Sequence, residues 1–171
     1  AEHGADSQVM LVSDSDKLAS EVEAEVLRQA ELLSRADFVA KSLEKSRFVV
    51  LGSRDEMVAF ANEYASEHLI ISMENPWEIA DKITAAGSVF LGNYTPESAG
   101  DYASGTNHTL PTSAWARSCS GVNLDSFMKK MTIQEISREG LDGLAKTIVS
   151  MAEAEGLQAH ANAVKLRTYE K

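Results

Sequence analysis

At 171 residues, with 44% apolar and 25% charged positions, the chain is an ordinary globular sequence, long enough to bury one core plus an appendage. Its formal net charge of −10 argues against a nucleic-acid partner, which needs a basic face. No apolar run approaches the ~18 residues of a membrane span, and the single cysteine, Cys119, excludes an intramolecular disulfide and fits a reducing cytoplasm. No basic segment followed by an apolar one opens the chain as a signal peptide would, so a cytoplasmic location is expected.

In chain order, Gln8–Val12 reads as a short apolar strand, with Ser13 and Asp14 as candidate helix caps. Leu18, Val22, Val26, Ala30 and Leu33 then recur at helical spacing. A second helix, about Asp37–Lys45, leads into a strand over Phe48–Leu51. Ser53-Arg54-Asp55-Glu56 forms a capping box, in which the two side chains satisfy reciprocal backbone donors, and it opens a helix to about Ala65. A strand over His68–Ser72 follows. Asn75-Pro76 joins an N-cap to a proline at the first helical position, Gly87 is expected to end that helix, and Ser88–Leu91 is the fourth strand. Strands alternating with helices, and few polar positions inside each strand, predict a parallel, Rossmann-like α/β sheet, incomplete in this chain, with right-handed crossovers.

Past about residue 122 the pattern changes. Met131–Ile136 reads as a strand, followed by a helix with Leu141, Leu144, Ile148 and Met151 on one face. Gly156 interrupts it, and a last helical piece carries His160. The expected division is an α/β portion over residues 1–122 and a mainly helical arm over residues 123–171. That arm reads as too thin for a core of its own, so it is expected to pack elsewhere, on a partner subunit or on its own α/β body.

The chemistry concentrates around GNYTPESAGDYASGTNHTLPT, residues 92–112, a stretch too rich in Gly, Pro, Ser, Thr and Asn for a core and well suited to a loop. It holds Asp101 and His108. The other three histidines, His3, His68 and His160, each follow a carboxylate: Glu2, Glu67 and Glu155. Histidines beside acids suit metal binding and proton transfer. Glu67-His68 stands at a helix–strand junction, where an imidazole can take a proton and a carboxylate can activate water. Taken alone such a pair is more often surface decoration, and neighbouring strand positions face opposite ways, so a shared role needs an irregular junction. His3 and His68 both precede a strand and so share one edge of a parallel sheet; a short helix opened by Thr95-Pro96 can bring Asp101 back to it. Glu155 and His160, five apart, lie ~140° apart on a continuous helix and converge only if Gly156 breaks it. No Gly-x-Gly-x-x-Gly follows a strand, and Leu51-Gly52-Ser53-Arg54 is too short for a dinucleotide loop.

EHGADSQV, SEHLII, GSVFLGNYTPESAGDYASGTNHTLPTS and EGLQAHANAVKLR, in that order and spacing, resemble the histidinol dehydrogenase family, which oxidises L-histidinol to L-histidine in histidine biosynthesis. The resemblance covers essentially the whole chain, as the C-terminal portion of such an enzyme. It departs at Thr106, where the family more often has proline.

The resemblance implies a zinc- and NAD-dependent oxidoreductase with one Zn2+ per site. His68 would be the general base and Glu67 its acid/base partner during hydration of the aldehyde. His3, Asp101 and His160 would be zinc ligands. His108 and Glu155 would join His3, His68, Asp101 and His160 around the substrate. His160 and Glu155 would reach the site of a neighbouring subunit in a homodimer with shared sites. The NAD-binding residues would lie in the N-terminal portion, none of them in this chain. A glutamine zinc ligand three residues before the first histidine would fall just before Ala1. The chain alone is therefore expected to be inactive. Two other readings stay open: a non-catalytic dimerising or metal-binding module or paralogue, and a zinc hydrolase using Glu67 to activate water.

Overall fold

Three of the longer helices begin where a serine hydroxyl takes an orphan backbone N–H. In the computed structural model, which describes residues 1–168, the first strand, β1, is Met10–Ser13, and the cap of the next helix is Ser15, not Ser13 or Asp14. Ser15 Oγ accepts from Leu18 N at 3.2 Å, and α1 runs Asp16–Ala30. Ser13 Oγ accepts instead from Ser15 N at 3.1 Å. Helix α2, Ala36–Lys45, feeds β2, Arg47–Val50, which pairs in parallel with β1 from Met10↔Arg47 to Ser13↔Val50. Ser53 opens α3, Arg54–Tyr64, by accepting from Glu56 N at 3.3 Å. Glu56 returns to the serine hydroxyl at 3.1 Å and not to its backbone N–H.

Strand β3, His68–Ile71, pairs in parallel with β4, Ser88–Leu91, from His68↔Ser88 to Ile71↔Leu91. Between them α4 is four residues, Trp77–Ala80. Asn75 does not cap it, having a left-handed backbone with φ 51°, and the helix ends well before Gly87. Asn62 of α3 shows why: its side chain accepts from Thr84 N and Ala85 N at 2.7 and 3.3 Å and donates to Lys82 O at 3.0 Å. Those backbone groups are taken by a side chain and cannot extend the helix. After β4 comes α5, Glu97–Tyr102.

The single Rossmann-like sheet expected from the alternation is not what forms. The described residues make two separate two-stranded parallel sheets, β1-β2 and β3-β4, so the architecture is mixed α/β with short parallel strands. Periodicity finds strands but carries no information on which edge pairs with which. Val50, Ile70 and Val89 leave apolar strand surface exposed.

These elements belong to a unit spanning Ala1–Phe127; a second unit starts at Met128. There the expected strand over Met131–Ile136 is absent, for Met131, Ile133 and Ile136 are exposed and no strand lies beside them among the described residues. Ser137 caps α6, Arg138–Ala154, by accepting from Gly140 N at 3.1 Å. Gly156, at φ 74°, turns the chain into α7, Gln158–Thr168. The two helices make a small core of their own from Ala145, Val149, Ala152, Ala161 and Val164, with Leu141 and Ile148 against it. This corrects the expectation of a coreless arm. Leu144 and Met151, 51% and 61% exposed, lie off the buried face, because alanines at the contact let the two backbones approach closely. Among the described residues no helix is long and apolar enough to cross a membrane.

Candidate functional site

The site is built outward from Phe90, a buried residue of β4. On one side its ring meets the His68 imidazole, with centroids 5.9 Å apart and planes tilted by 33°. On the other it meets α5 at Gly100, where a Cβ would fall 2.7 Å from Phe90 Cε1. Only a residue without a side chain lets the helix lie this close to the ring. Thr95 Oγ1 donates to Leu91 O at 2.7 Å in the turn before α5, and Thr106 Oγ1 donates to Gly100 O at 3.0 Å after it. One aromatic ring thus sets the spacing between the histidine of β3 and the helix carrying Asp101.

The junction before β3 is irregular, as a shared role for Glu67 and His68 requires. Ala65 ends α3 in the left-handed region, with φ 50° and ψ 59°. Gly87 N donates to Ser66 O and Ser88 N to Glu67 O, both at 2.9 Å. A Cβ on Gly87 would stand 2.5 Å from Glu67 O, so glycine is needed for the two chains to meet here. Glu67 is half-buried, and no ion pair ties its carboxylate to the group below among the described residues.

Glu97 and Asp101 are one helical turn apart on α5 and so share a face. His68 Nε2 lies 3.5 Å from Glu97 Oε1 and 3.8 Å from Asp101 Oδ1. That nitrogen is shut off from solvent and has no hydrogen-bond partner among the described residues. Burial raises the Glu97 carboxyl above its ordinary value; a hydrogen bond with Asp101 and the repulsion of its charge add to the rise, while His68 and His3 oppose it. His3 is exposed yet near enough to Glu97 to act on it through charge, and its carbonyl accepts from Arg35 Nη2 at 3.2 Å.

An imidazole facing two carboxylates can accept a proton and keep it as a stabilised imidazolium. The same atoms can hold a cation: one ligand atom from each of His68, Glu97 and Asp101 lies within 4.8 Å of the others. A nitrogen and oxygen donor set of this kind suits zinc, and also manganese or cobalt. The shielded, partnerless Nε2 fits either use.

The structure thus brings His68 and Asp101 together and puts His3 within electrostatic reach. His108 is exposed on the loop after α5. Glu155 and His160 belong to the second unit and are exposed, the first at the C-cap of α6 and the second early in α7. Glu97 was not singled out from the sequence. Its signal was there, four residues before Asp101 in PESAGD, just after the Thr95-Pro96 that opens the helix. A polar hollow of about 340 Å³ lies elsewhere on the first unit, lined by Ser88, Thr106, Asn107, Cys119 and Asn123 among others, with none of the three clustered residues in its wall.

The family model described as histidinol dehydrogenase matches residues 1–168. A histidinol dehydrogenase of Bacteroides thetaiotaomicron is 53% identical over 167 residues, covering 98% of this chain and 39% of the relative. One of Vibrio parahaemolyticus is 52% identical over the same length, again 98% of this chain and 39% of the relative. The crystal structure of histidinol dehydrogenase from Elizabethkingia anophelis superposes with a TM-score of 0.90 at 51% identity, covering 98% of this chain and 39% of that one. The chain therefore spans about two fifths of the length of the relatives it matches.

Proposed function

The chain belongs to the histidinol dehydrogenase family, and from that premise we propose that it supplies the proton-transfer and metal-holding part of a site oxidising L-histidinol to L-histidine with two NAD. The observation that carries this reading is His68 Nε2, shielded from water, without a hydrogen-bond partner and facing two carboxylates. Carboxylates facing Nε2 favour a proton on that nitrogen, which leaves the other ring nitrogen with the free electron pair of a base and stabilises the imidazolium once a second proton arrives.

In the first step the alcohol's hydride passes to NAD and its hydroxyl proton passes to His68, leaving an aldehyde. Water then adds to the aldehyde; Glu67, half-buried at the adjoining junction, takes a proton from the water while His68 returns one to the carbonyl oxygen. The hydrate gives its hydride to a second NAD and a hydroxyl proton to His68, and the acid results. Asp101 and His3 would hold zinc through oxygen and nitrogen, with His160 of a partner subunit as a further ligand; when bound, the metal would orient the imidazole and amine of the substrate. His108 and Glu155 would line the substrate. The residues that bind NAD would belong to the part of the family's length outside this chain, so this chain alone would not turn over.

Two supports converge: the family of the relatives, and the meeting of His68 with Asp101 around Phe90. The test is a protein of full family length carrying this chain, supplied with L-histidinol and NAD and followed by the absorbance of reduced nicotinamide. His68→Asn is expected to lower turnover by about 10²–10⁴, the usual contribution of a positioned base, with zinc content unchanged. Wild-type turnover in that variant would remove His68 as the base. Mixing it with His160→Asn checks the shared sites, since one site of each mixed dimer would regain both residues; subunits that exchange without recovering activity would return His160 to its own subunit.

A further inference from the structure

Glu97 lies nearer to His68 Nε2 than Asp101 does, 3.5 Å against 3.8 Å, yet the function proposed above leaves it without work. We propose that Glu97 is a positioning residue, which turns the Nε2 edge of the His68 ring toward α5 and keeps it there for proton transfer. The inference rests on the reading of His68 as the base.

Three observations support it. Phe90 lies against the imidazole at 5.9 Å and sets its tilt, but an apolar ring does not decide which edge of the imidazole faces which way. That choice is made by hydrogen bonding, and Nε2 is shut off from water with only the two α5 carboxylates before it. In the proposed site Asp101 gives oxygen to a cation, which leaves Glu97 as the carboxylate free for the ring. Glu97 is itself well anchored. It stands in the first turn of a helix docked on Phe90 through Gly100, on the same face as Asp101 one turn on. A separation of 3.5 Å is a few tenths of an ångström beyond a formed bond, the slack expected of a catalytic contact that tightens when substrate arrives.

The experiment uses three variants in the full-family-length protein, Glu97→Gln, Glu97→Ala and Glu97→Asp, beside His68→Asn. Positioning by a charged acceptor predicts that Glu97→Gln, isosteric but neutral, lowers kcat by about 10–100-fold, the usual effect of losing a group that orients a functional histidine, with KM unchanged. Glu97→Asp should recover part of that loss. On this chain without metal, long-range proton–nitrogen spectra of the His68 ring should show the proton on Nε2 in the wild type and a changed distribution in Glu97→Ala. Full turnover in Glu97→Gln would make the residue a space-filler and overturn the proposal. A rise in KM with kcat unchanged would overturn it too, assigning Glu97 to substrate binding, as would ring spectra identical in wild type and variants. If His68→Asn is inactive while Glu97→Gln is not, the positioning role alone has failed; if His68→Asn turns over normally, the base and the role fall together.

Discussion

The two units bury different kinds of group. In the helical hairpin the buried cluster is wholly apolar, alanines and valines, and the two residues singled out for chemistry, Glu155 and His160, stay exposed. In the α/β unit a ring nitrogen of His68 is buried without a hydrogen-bond partner among the described residues, beside two half-buried carboxylates. Leaving a polar atom unsatisfied costs about 1–3 kcal/mol, so a fold keeps it only where something else is gained. The hairpin uses burial for packing alone. The α/β unit leaves two buried polar atoms without a hydrogen-bond partner among the described residues, Ser42 Oγ and His68 Nε2, and the second of them faces two carboxylates.

The sharpest way to break the comparison is at Gly87. A methyl there would lie 2.5 Å from Glu67 O, a backbone atom, and 3.2 Å from Leu110 Cβ. Gly87→Ala must therefore push β4 away from the Glu67-His68 junction, and overpacking of this sort costs about 1–3 kcal/mol. Urea denaturation should show that loss in the α/β unit, with hydrogen exchange of α6 unchanged. If stability stayed at the wild-type value, the close approach of the two strands, and the irregular junction built on it, would be wrong.

A pH series sharpens the contrast inside the α/β unit. Burial, first among the causes, raises Glu97 above the ordinary 4.5, so the folded state holds its proton more tightly than the unfolded chain does. Its contribution to stability is then complete below about 4.5 and is lost as pH rises through the raised value. Glu97→Gln should remove that decline, so the variant gains on wild type as pH rises above the ordinary carboxylate range. Glu25 behaves oppositely. Hydrogen bonds from Arg28 and Gln29 hold it down at about 2, so its contribution is present above 4.5 and lost as pH falls toward 2. Being fully exposed, that pair is screened by salt, and its contribution should fade at high ionic strength. Denaturation midpoints for the two variants, Glu97→Gln and Arg28→Ala, over the same buffers give the signs directly; equal slopes would sink the assignment of Glu97 as a partly desolvated group.

Much of the site was legible because it depends on local signals. Glu67-His68 sits at a turn between helix and strand, and Thr95-Pro96 announces the helix that returns Asp101. Glu97 was legible in principle, as a carboxylate one turn from Asp101, but it stands beside no histidine in the sequence and so escaped a search for acid–histidine neighbours. The fold was legible strand by strand and not as a sheet. The apolar runs mark β1 to β4, whereas the split into two pairs depends on edge contacts that no period records. In Met131–Ile136 the apolar residues supplied a strand pattern without a neighbour to pair with among the described residues. In α6 the large residues misled: Leu144 and Met151 look like core, but the contact is made by Ala145, Val149 and Ala152, whose small side chains win by letting α7 come close.

The smallest expected effect lies in the hairpin, at Gly143. It is an exposed position inside α6, and a Cβ added there meets nothing within 4 Å. Glycine in a helix interior costs backbone entropy that alanine does not, roughly 0.5–1 kcal/mol. Gly143→Ala should therefore stabilise the hairpin by about that amount, read as slower hydrogen exchange of the α6 amides with those of β3 and β4 unaffected. The sign separates two views of the exposed side of α6. If that side faces water, the methyl is free and the helix gains. If Gly143→Ala instead weakens the hairpin, the space beside the glycine is filled in solution by another surface. The exposed Leu144 next to it would then be part of a contact, and the hairpin would bury more than its own small core.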